Sequence, residues 1–297
     1  MDTAEVPEGD IVYRAARRMN AALAGRELTT FDLRWPSLAT ADRTGAQVLE
    51  VVSAGKHMLT RMSAVGGHPP STLHTHFRME GTWRVHRTGE RAKPASPTVR
   101  AVVGNREWTA VGERLGMLDL VPTAEEHRLV GHLGPDVLGP DWDPAAVRRI
   151  LLEQPDRTIG EGLLDQRVLA GVGTFFMAEA LFLRGITPWT PVGDVTDLDA
   201  VLQLEHRLLS ANAARAVQST TGDLRPGQTQ WVHSRSGRPC RRCGTTVRVA
   251  MIGPAPQDRT AFYCPRCQRG PAPSDDGRPQ QPLGTQPTRL RRSPYRR

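Results

Sequence analysis

The polar and apolar positions of the chain follow a helical period first and a shorter, alternating period afterwards. Within residues 9–25 the apolar side chains recur at helical spacing: Ile11, Val12, Ala15, Met19 and Leu23. This pattern predicts an amphipathic helix that ends at Gly25. From Leu28 to about Pro122 the segments are strand-length and separated by glycine or proline: residues 48–53, 57–62, 82–85, 99–103 and 107–111. We therefore expect a β-sandwich with one helix against it.

The second half of the chain has a different period. Residues 134–144 are rich in glycine, proline and aspartate and predict a linker. Helical periods follow it at residues 145–152, 159–168, 174–184 and 198–217. Asp143 supplies a helix N-cap before Pro144, a residue type favoured at the first helical position. A strand-like pattern returns around four cysteines.

These patterns predict an α+β multidomain fold. The expected units are a sandwich domain with its leading helix at residues 7–133, the linker at 134–144, a helical domain at 145–227 and a cysteine-bearing hairpin at 228–270. Residues 271–297 are rich in proline, glycine, glutamine and arginine without any period, and we expect a disordered basic tail there.

The composition indicates a protein that stays out of membranes and binds a polyanion. No run of eighteen apolar residues exists, and no signal peptide opens the chain, so we expect a cytoplasmic protein. The net charge is +8, which suits nucleic acid through neutralisation of phosphates. The alternative is a basic tail on a neutral body. Residues 271–297 hold six arginines against two aspartates, so half of the surplus lies there.

All four cysteines fall within 28 residues, as the pairs Cys240/Cys243 and Cys264/Cys267. Two such pairs joined by a β-hairpin can meet around one ion, so the spacing predicts a single structural zinc and no open coordination position. Disulfides or free thiols are the alternatives. Nothing in the sequence calls for an organic cofactor.

Four stretches of the chain carry a family resemblance in combination. They are Pro7-Glu8-Gly9-Asp10, the segment AGKHML around Lys56, residues 163–189, and residues 235–268 around the cysteines. Alone, the first stretch is better explained as a turn followed by a helix N-cap. Together the four resemble the formamidopyrimidine-DNA glycosylase/endonuclease VIII family over residues 7–270. The PEGD opening and residues 132–143 are similar to an actinobacterial, endonuclease VIII-like branch.

The resemblance implies covalent catalysis by an amine. In the family an N-terminal proline, here Pro7, attacks the sugar of a damaged nucleotide and expels the base. The resulting iminium promotes strand cleavage by elimination. Glu8 would then act as the proton donor and shuttle.

Pro7 lies behind six residues in the written sequence, and an internal proline has no amine to offer. The chemistry therefore requires residues 1–6 to be absent. We expect them to be a non-native extension, with Val6 as the true start, read as an initiator methionine and then removed.

The resemblance also implies a set of DNA contacts. Lys56 would bind a phosphate beside the lesion and assist catalysis. Gly173 and Thr174 would begin a helix in a helix–two-turns–helix element whose amides face a phosphate. Thr174 stands where the family usually has asparagine, and it would still cap that helix. Arg259, on the zinc hairpin, would reach the phosphates that flank the lesion and complete the catalytic set.

Base extrusion needs side chains that fill the gap in the stack. Met79 matches one family wedge, and Arg114 would bind phosphate. Leu115 stands where the family has an aromatic wedge, and Ile11 replaces a second acid. Two strand histidines, His74 and His76, are expected to pack in the sheet or to be polar strand residues rather than metal ligands.

We therefore expect a bifunctional DNA glycosylase/AP lyase of base excision repair that removes oxidised pyrimidines. The expected partner is double-stranded DNA with oxidised bases or abasic sites, bent in a basic cleft between the two main domains. The protein would be a bacterial, nucleoid-associated monomer. The alternatives are an oxidised-purine glycosylase, or a non-catalytic binder of damaged DNA if the N-terminus is blocked.

Overall fold

The computed structural model describes residues 7–90 and 96–273. The predicted extension at residues 1–6 and nearly all of the predicted basic tail lie outside these ranges. No helix within them has the length and apolar character that crossing a membrane requires.

The first helix, α1 (Gly9–Leu23), forms as its apolar period predicts. Val12, Met19 and Leu23 are fully buried, because a spacing of three or four residues turns them to one face. Ile11 remains partly exposed and packs only at the margin of the core. The helix ends where Gly25 takes a left-handed conformation at φ +76°.

Two antiparallel four-stranded sheets follow α1. One sheet has the order β1 (Thr30–Leu33), β6 (Val99–Gly104), β7 (Trp108–Glu113) and β5 (Thr82–Arg87). The other has the order β2 (Val48–Ala54), β3 (His57–Met62), β4 (Ser71–His76) and β8 (Met117–Pro122). Their inner faces and α1 share one hydrophobic core, whose buried members run from Val12 to Leu118. The predicted sandwich with a leading helix is confirmed.

Helices dominate the chain after the sandwich: α2 (His127–Val130), α3 (Pro144–Leu152), α4 (Ile159–Leu164), α5 (Thr174–Arg184) and α6 (Leu198–Ala213). Asp143 caps α3 through a 2.9 Å hydrogen bond from the Ala145 amide, as predicted. Two predicted helices were too long. Asp165 leaves helical geometry with ψ 108°, which ends α4 before the predicted limit at residue 168, and α6 ends four residues before residue 217.

The cysteine region is a two-stranded antiparallel hairpin of β9 (Arg248–Ile252) and β10 (Arg259–Tyr263). It contributes Ile252 and Ala261 to the core of the helical part. A separate small core surrounds the cysteines and includes Phe182 of α5 and Phe262 of β10. Sandwich, helices and hairpin together make the α+β fold that the sequence predicts.

Candidate active site

Glu8 connects the start of α1 to the start of α5. Its backbone carbonyl accepts the first bond of α1, from the Ile11 amide at 3.1 Å. Its side chain accepts hydrogen bonds from the amides of Gly173 at 2.9 Å, Phe175 at 2.8 Å and Phe176 at 3.4 Å. A helix cannot satisfy the amides of its own first turn. One buried residue therefore serves the N-terminal ends of two helices, α1 through its carbonyl and α5 through its carboxylate.

Two glycines allow this approach, because a side chain at either position would collide with the opposite segment. A Cβ at Gly173 would overlap the Glu8 carboxylate and lie 2.9 Å from the Nζ of Lys56. A Cβ at Gly9 would lie 2.9 Å from the Cα of Gly171, whose carbonyl accepts a 2.9 Å bond from the Gly9 amide. The N-terminal end of α1 therefore lies against the turn that precedes α5.

Lys56 occupies the tight turn between β2 and β3, half-buried and beside Glu8. The turn requires Gly55 in a left-handed conformation, at φ +57°. The Gly55 amide donates a 2.8 Å bond to Asp136, which also accepts a 2.9 Å bond from the Leu138 amide. Asp136 lies in the predicted linker, and sequence reasoning assigned it no role. In the structure it holds the turn that carries Lys56.

Burial and neighbouring charges shift the pKa values of both Glu8 and Lys56. Burial raises the pKa of Glu8, opposed by the charge of Lys56 and by the three amide hydrogen bonds. Burial also lowers the pKa of Lys56; the Glu8 carboxylate opposes this shift and the Arg259 guanidinium adds to it. An acid with a raised pKa beside a base with a lowered pKa is typical of catalytic sites.

Arg259 begins β10 at the tip of the cysteine hairpin and is exposed. Its guanidinium donates to the carbonyls of Gln257 at 2.7 Å and Asp258 at 3.1 Å. Its charge acts on Lys56. The structure thus brings together Glu8, Lys56 and Arg259, three of the four predicted catalytic residues, and Pro7 precedes Glu8 directly in the chain.

The four cysteines form the one group within the described ranges that could hold a metal ion, with their sulfurs all within 4.8 Å of one another. The Sγ atoms of Cys243 and Cys264 are 3.5 Å apart, and those of Cys240 and Cys267 are 4.0 Å apart. None of the four forms a disulfide, so that alternative was wrong. A tetrahedral zinc with Zn–S bonds of about 2.3 Å needs sulfurs ~3.8 Å apart. The cluster fits such an ion.

Known proteins resemble this chain over nearly its whole length. The sequence profile of the formamidopyrimidine-DNA glycosylase N-terminal domain matches residues 5–117. A Streptomyces coelicolor protein named probable endonuclease 8 2 is 51% identical over 277 residues, 92% of this chain and 98% of that protein. The Mycolicibacterium smegmatis DNA-(apurinic or apyrimidinic site) lyase Nei2 is 40% identical over 89% of this chain and 99% of its own length.

The chain belongs to the formamidopyrimidine-DNA glycosylase/endonuclease VIII family. Solved structures agree on the fold. The Lactococcus lactis formamidopyrimidine-DNA glycosylase, solved with DNA containing an AP site, superimposes with a TM-score of 0.70 at 19% identity, over 89% of this chain and 100% of that one. The family resemblance that the sequence motifs predicted is confirmed.

Two turns of the sandwich carry the residues expected to act as a wedge or to bind phosphate beside it. Met79, between β4 and β5, is 71% exposed. Arg114, between β7 and β8, has φ +49° and forms a 3.7 Å ion pair with Glu80 beside Met79. Leu115 is only 3% exposed and packs in the sandwich core, so the structure does not present it as a wedge. Its neighbour Arg114 takes the exposed position because the turn places Leu115 inward.

The start of α5 differs from the family-based expectation. Gly173 is the N-cap and makes no side-chain bond, and Thr174 is the first helical residue, so Thr174 does not cap the helix. Two of the amides expected to face a phosphate, those of Phe175 and Phe176, donate to Glu8 instead. A carboxylate is stabilised at a helix N-terminus, and Glu8 occupies that position here.

The strand histidines pack in the sheet, as predicted. His74 is 1% exposed and lies between Asp119, 2.9 Å from its Nδ1, and His57, whose Nδ1 is 2.8 Å from its Nε2. The His76 ring meets the edge of His57. Burial lowers the pKa of His76 to about 4, so its ring is neutral at pH 7.

Three buried acids were not foreseen from the sequence: Asp10, Glu179 and Glu205. Glu179 accepts 2.8 Å bonds from the consecutive amides of Trp231, Val232 and His233 and so fastens α5 to the segment before the cysteines. For Glu179 and Glu205 the sequence did hold a signal. Each is an isolated acid on the apolar face of its helix, α5 or α6, where a charged residue requires a partner.

Proposed function

We propose that this protein is a bifunctional DNA glycosylase/AP lyase that removes oxidised pyrimidines through the amine of Pro7. The observation that carries the proposal is the buried Glu8 carboxylate at the N-terminus of α5, next in the chain to Pro7 and beside Lys56. An amine nucleophile, a proton-exchanging acid and a cation then share one site.

In the proposed reaction the Pro7 nitrogen loses its proton and bonds to the anomeric carbon of the damaged nucleotide. The bond between that carbon and the base breaks, and its electron pair leaves with the base. Glu8 supplies the proton that the leaving base or the ring oxygen needs, and burial raises the pKa of its carboxyl group. The bond between the anomeric carbon and the ring oxygen then breaks; the oxygen takes the electron pair and a proton, and the nitrogen lone pair forms the double bond of the iminium. The iminium acidifies the adjacent sugar proton, whose loss expels the 3′ phosphate and cuts the strand.

Lys56 and Arg259 are proposed to hold the phosphate beside the lesion. Their charges repel one another, since Arg259 lowers the pKa of Lys56. A phosphate between two cations would remove this repulsion and fix the sugar next to Glu8. Met79 would enter the duplex from the sandwich side and Arg114 would bind a phosphate, consistent with their exposure at adjacent turns.

The cysteine cluster is proposed to hold one zinc ion through Cys240, Cys243, Cys264 and Cys267. Zinc when bound supplies no reactive position here and stiffens the hairpin, because all four ligands come from the protein. The hairpin would then present Arg259 to DNA in a fixed orientation.

Catalysis by Pro7 requires that residues 1–6 be absent, because a proline inside the chain is a tertiary amide without a free amine. Mass spectrometry of the mature protein should therefore give Pro7 as the first residue. A protein that retains Met1 would support the alternative, a binder of damaged DNA without lyase chemistry.

The decisive test is reductive trapping. Borohydride should convert the iminium formed with abasic-site DNA into a stable protein–DNA adduct, and Pro7→Gly should lose it. Duplexes with thymine glycol, dihydrouracil and 8-oxoguanine should show faster release of the two pyrimidines. Absence of an adduct from a protein that begins at Pro7 would refute the proposed chemistry, and preferred release of 8-oxoguanine would favour the oxidised-purine alternative.

A further inference from the structure

The turn Gly55-Lys56 projects beyond the last residue pair of the β2–β3 ladder, Ala54 with His57. Because the two turn residues lie outside the ladder, contacts with other segments have to fix the position of Lys56. One such contact reaches the linker, 81 positions along the chain, where the Oδ2 of Asp136 accepts a 2.8 Å hydrogen bond from the Gly55 amide. The turn that carries Lys56 is therefore bonded outside its own hairpin.

Asp136 is itself held in place by the helical part of the protein. It forms a short parallel bridge with Ala170, in which two backbone hydrogen bonds of 3.0 Å join the linker to the segment before α5. Its second carboxylate oxygen, Oδ1, accepts a 2.9 Å bond from the Leu138 amide, two residues further on. Each oxygen of this carboxylate thus has one amide donor, and the Lys56 turn is the partner of only one of them.

The Lys56 turn also packs closely on the turn before α5. A Cβ at Gly55 would lie 3.0 Å from the Cβ of Ala170 and 3.2 Å from the backbone nitrogen of Gly171. The same turn receives the N-terminal end of α1, through the 2.9 Å bond from the Gly9 amide to the Gly171 carbonyl. The Asp136 carboxylate therefore bonds the Lys56 turn to the segment on which the proposed catalytic end of α1 also rests.

We propose that Asp136 is the positioning residue for Lys56, and that its bond to the Gly55 amide keeps the Lys56 ammonium beside Glu8. The role rests on the proposed glycosylase function, in which Lys56 holds a phosphate, and deepens it. Asp136 touches neither sugar nor phosphate in this scheme. It acts on the reaction through the turn.

A residue that acts through Lys56 has two consequences that a general loosening of the fold lacks. Its removal should add little once Lys56 itself is gone, because the two losses are then the same loss. It should also change the pH dependence of base removal. The charge of Lys56 lowers the pKa of Glu8, so a Lys56 that moves away lets this pKa rise. Since Glu8 acts as an acid, the pH at which the rate falls should then move upwards.

The test uses Asp136→Ala, which removes both acceptor oxygens, and the milder Asp136→Asn, which leaves one oxygen for two amides. Asp143→Ala is the matched control. Asp143 lies in the same linker and likewise accepts a 2.9 Å bond from the amide two residues on, that of Ala145, but this bond caps α3. Each substitution is made alone and together with Lys56→Ala. Base removal from dihydrouracil DNA is measured in single turnover across the neutral and alkaline pH range.

We expect Asp136→Ala to lose at least about tenfold in base removal, as mispositioned groups do. Asp136→Asn should lose less, and in both variants the fall in rate should occur at a higher pH than in the wild type, as it should in Lys56→Ala. In the Lys56→Ala background the further loss should stay within about twofold. Asp143→Ala should match its parent in both backgrounds. Losses that multiply, no loss, or an unmoved pH dependence would each overturn the positioning role.

Hydrogen exchange of the Gly55 amide tests the bond itself without DNA. The amide should exchange slowly in the wild type and in Asp143→Ala, and much faster in both Asp136 variants. Equally fast exchange in all of them would overturn the link whatever the activity. A wild-type protein inactive on dihydrouracil and abasic-site DNA would instead refute the glycosylase function, and with it the part of the link in catalysis, while slow exchange at Gly55 would still show the link.

Discussion

Glu8 and Phe175 stand 167 positions apart in the chain and are joined by a 2.8 Å hydrogen bond from the Phe175 amide to the Glu8 carboxylate. The bond ties the sandwich part of the protein to the helical part at the proposed site of chemistry. Substrate contacts that change the orientation of α5 would therefore be transmitted to Glu8, the proposed proton donor.

Replacing Glu8 by Gln should abolish base removal while the protein stays folded. Gln offers one acceptor oxygen instead of two to the three amides of the α5 N-terminus. It also cannot donate a carboxyl proton, and loss of a general acid costs at least about 100-fold. Single-turnover base release and circular dichroism measure the two effects. A variant within threefold of the wild type would exclude Glu8 as the acid.

Gly173→Ala should inactivate the enzyme although no proposed catalytic side chain is replaced. The added Cβ would overlap the Glu8 carboxylate and lie 2.9 Å from Lys56 Nζ, so both groups must move. Gly193→Ala is the matched control, because its nearest neighbour is the Pro155 Cβ at 3.2 Å, far along the chain from the site. The rate of base release should fall by about 100-fold in the first variant alone. Equal activities would show that the close packing is not needed.

Arg259→Ala should weaken DNA binding and reduce its dependence on salt. Loss of one phosphate contact lowers the slope of log affinity against log salt by about 1. Arg148→Ala removes an exposed arginine of α3, paired with Asp199 at 3.7 Å, and serves as the control. Fluorescence anisotropy on abasic-site DNA between low and moderate salt gives both slopes. An unchanged slope in Arg259→Ala would place this guanidinium away from the phosphates.

Removing zinc should release the hairpin and leave the sandwich folded. The two have separate cores, one around the cysteines and one between the sheets. We expect one zinc per chain by atomic absorption, and a large loss of DNA affinity after chelation or in Cys243→Ala. Hydrogen exchange should then increase in β9 and β10 and stay unchanged in β2 and β3. Increased exchange throughout would show that the ion stabilises the whole protein.

Glu205→Met should make the stability of the protein less dependent on pH. Glu205 is fully buried on α6, and neither carboxylate oxygen has a hydrogen-bond partner within the described ranges. Burial raises its pKa well above the ordinary value, and the charge of Glu8 adds to the shift. The folded state therefore holds a proton that the unfolded state releases above pH 4.5, so this group's stabilisation is complete below that pH and is lost as pH rises towards the folded pKa.

The size of this effect can be measured from urea unfolding between pH 5 and pH 8. The wild type should lose stability with rising pH by on the order of 1 kcal/mol per pH unit for each such acid, and Glu205→Met should lose less. Its stability at pH 8 should match or exceed that of the wild type, since an apolar side chain carries no desolvation cost. Parallel curves for the two proteins would show that Glu205 has a partner in solution.

Sequence patterns were reliable where a local signal decided the structure. The limits of β3 and α5 were predicted without error. At both ends of each segment the spacing of apolar residues along the sequence changes, and the element ends there. The predicted ends of α4 and α6 were wrong, because the apolar pattern continues past Leu164 and Ala213 while the backbone turns away to meet other segments.

The sequence by itself determined the family and the order of sheet and helix along the chain. It also pointed to the site residues: the four cysteines, Glu8, Lys56 and Arg259. These depend on residue types at fixed spacing, which a linear chain displays directly. Only the tertiary structure decided which groups meet. It places Glu8 on the amides of α5, Asp136 behind the turn of Lys56, and Gln218 on Asp10, and it turns Leu115 inward. Such contacts join residues up to 208 positions apart, and burial makes them necessary, because a buried polar group needs a partner wherever the fold can supply one.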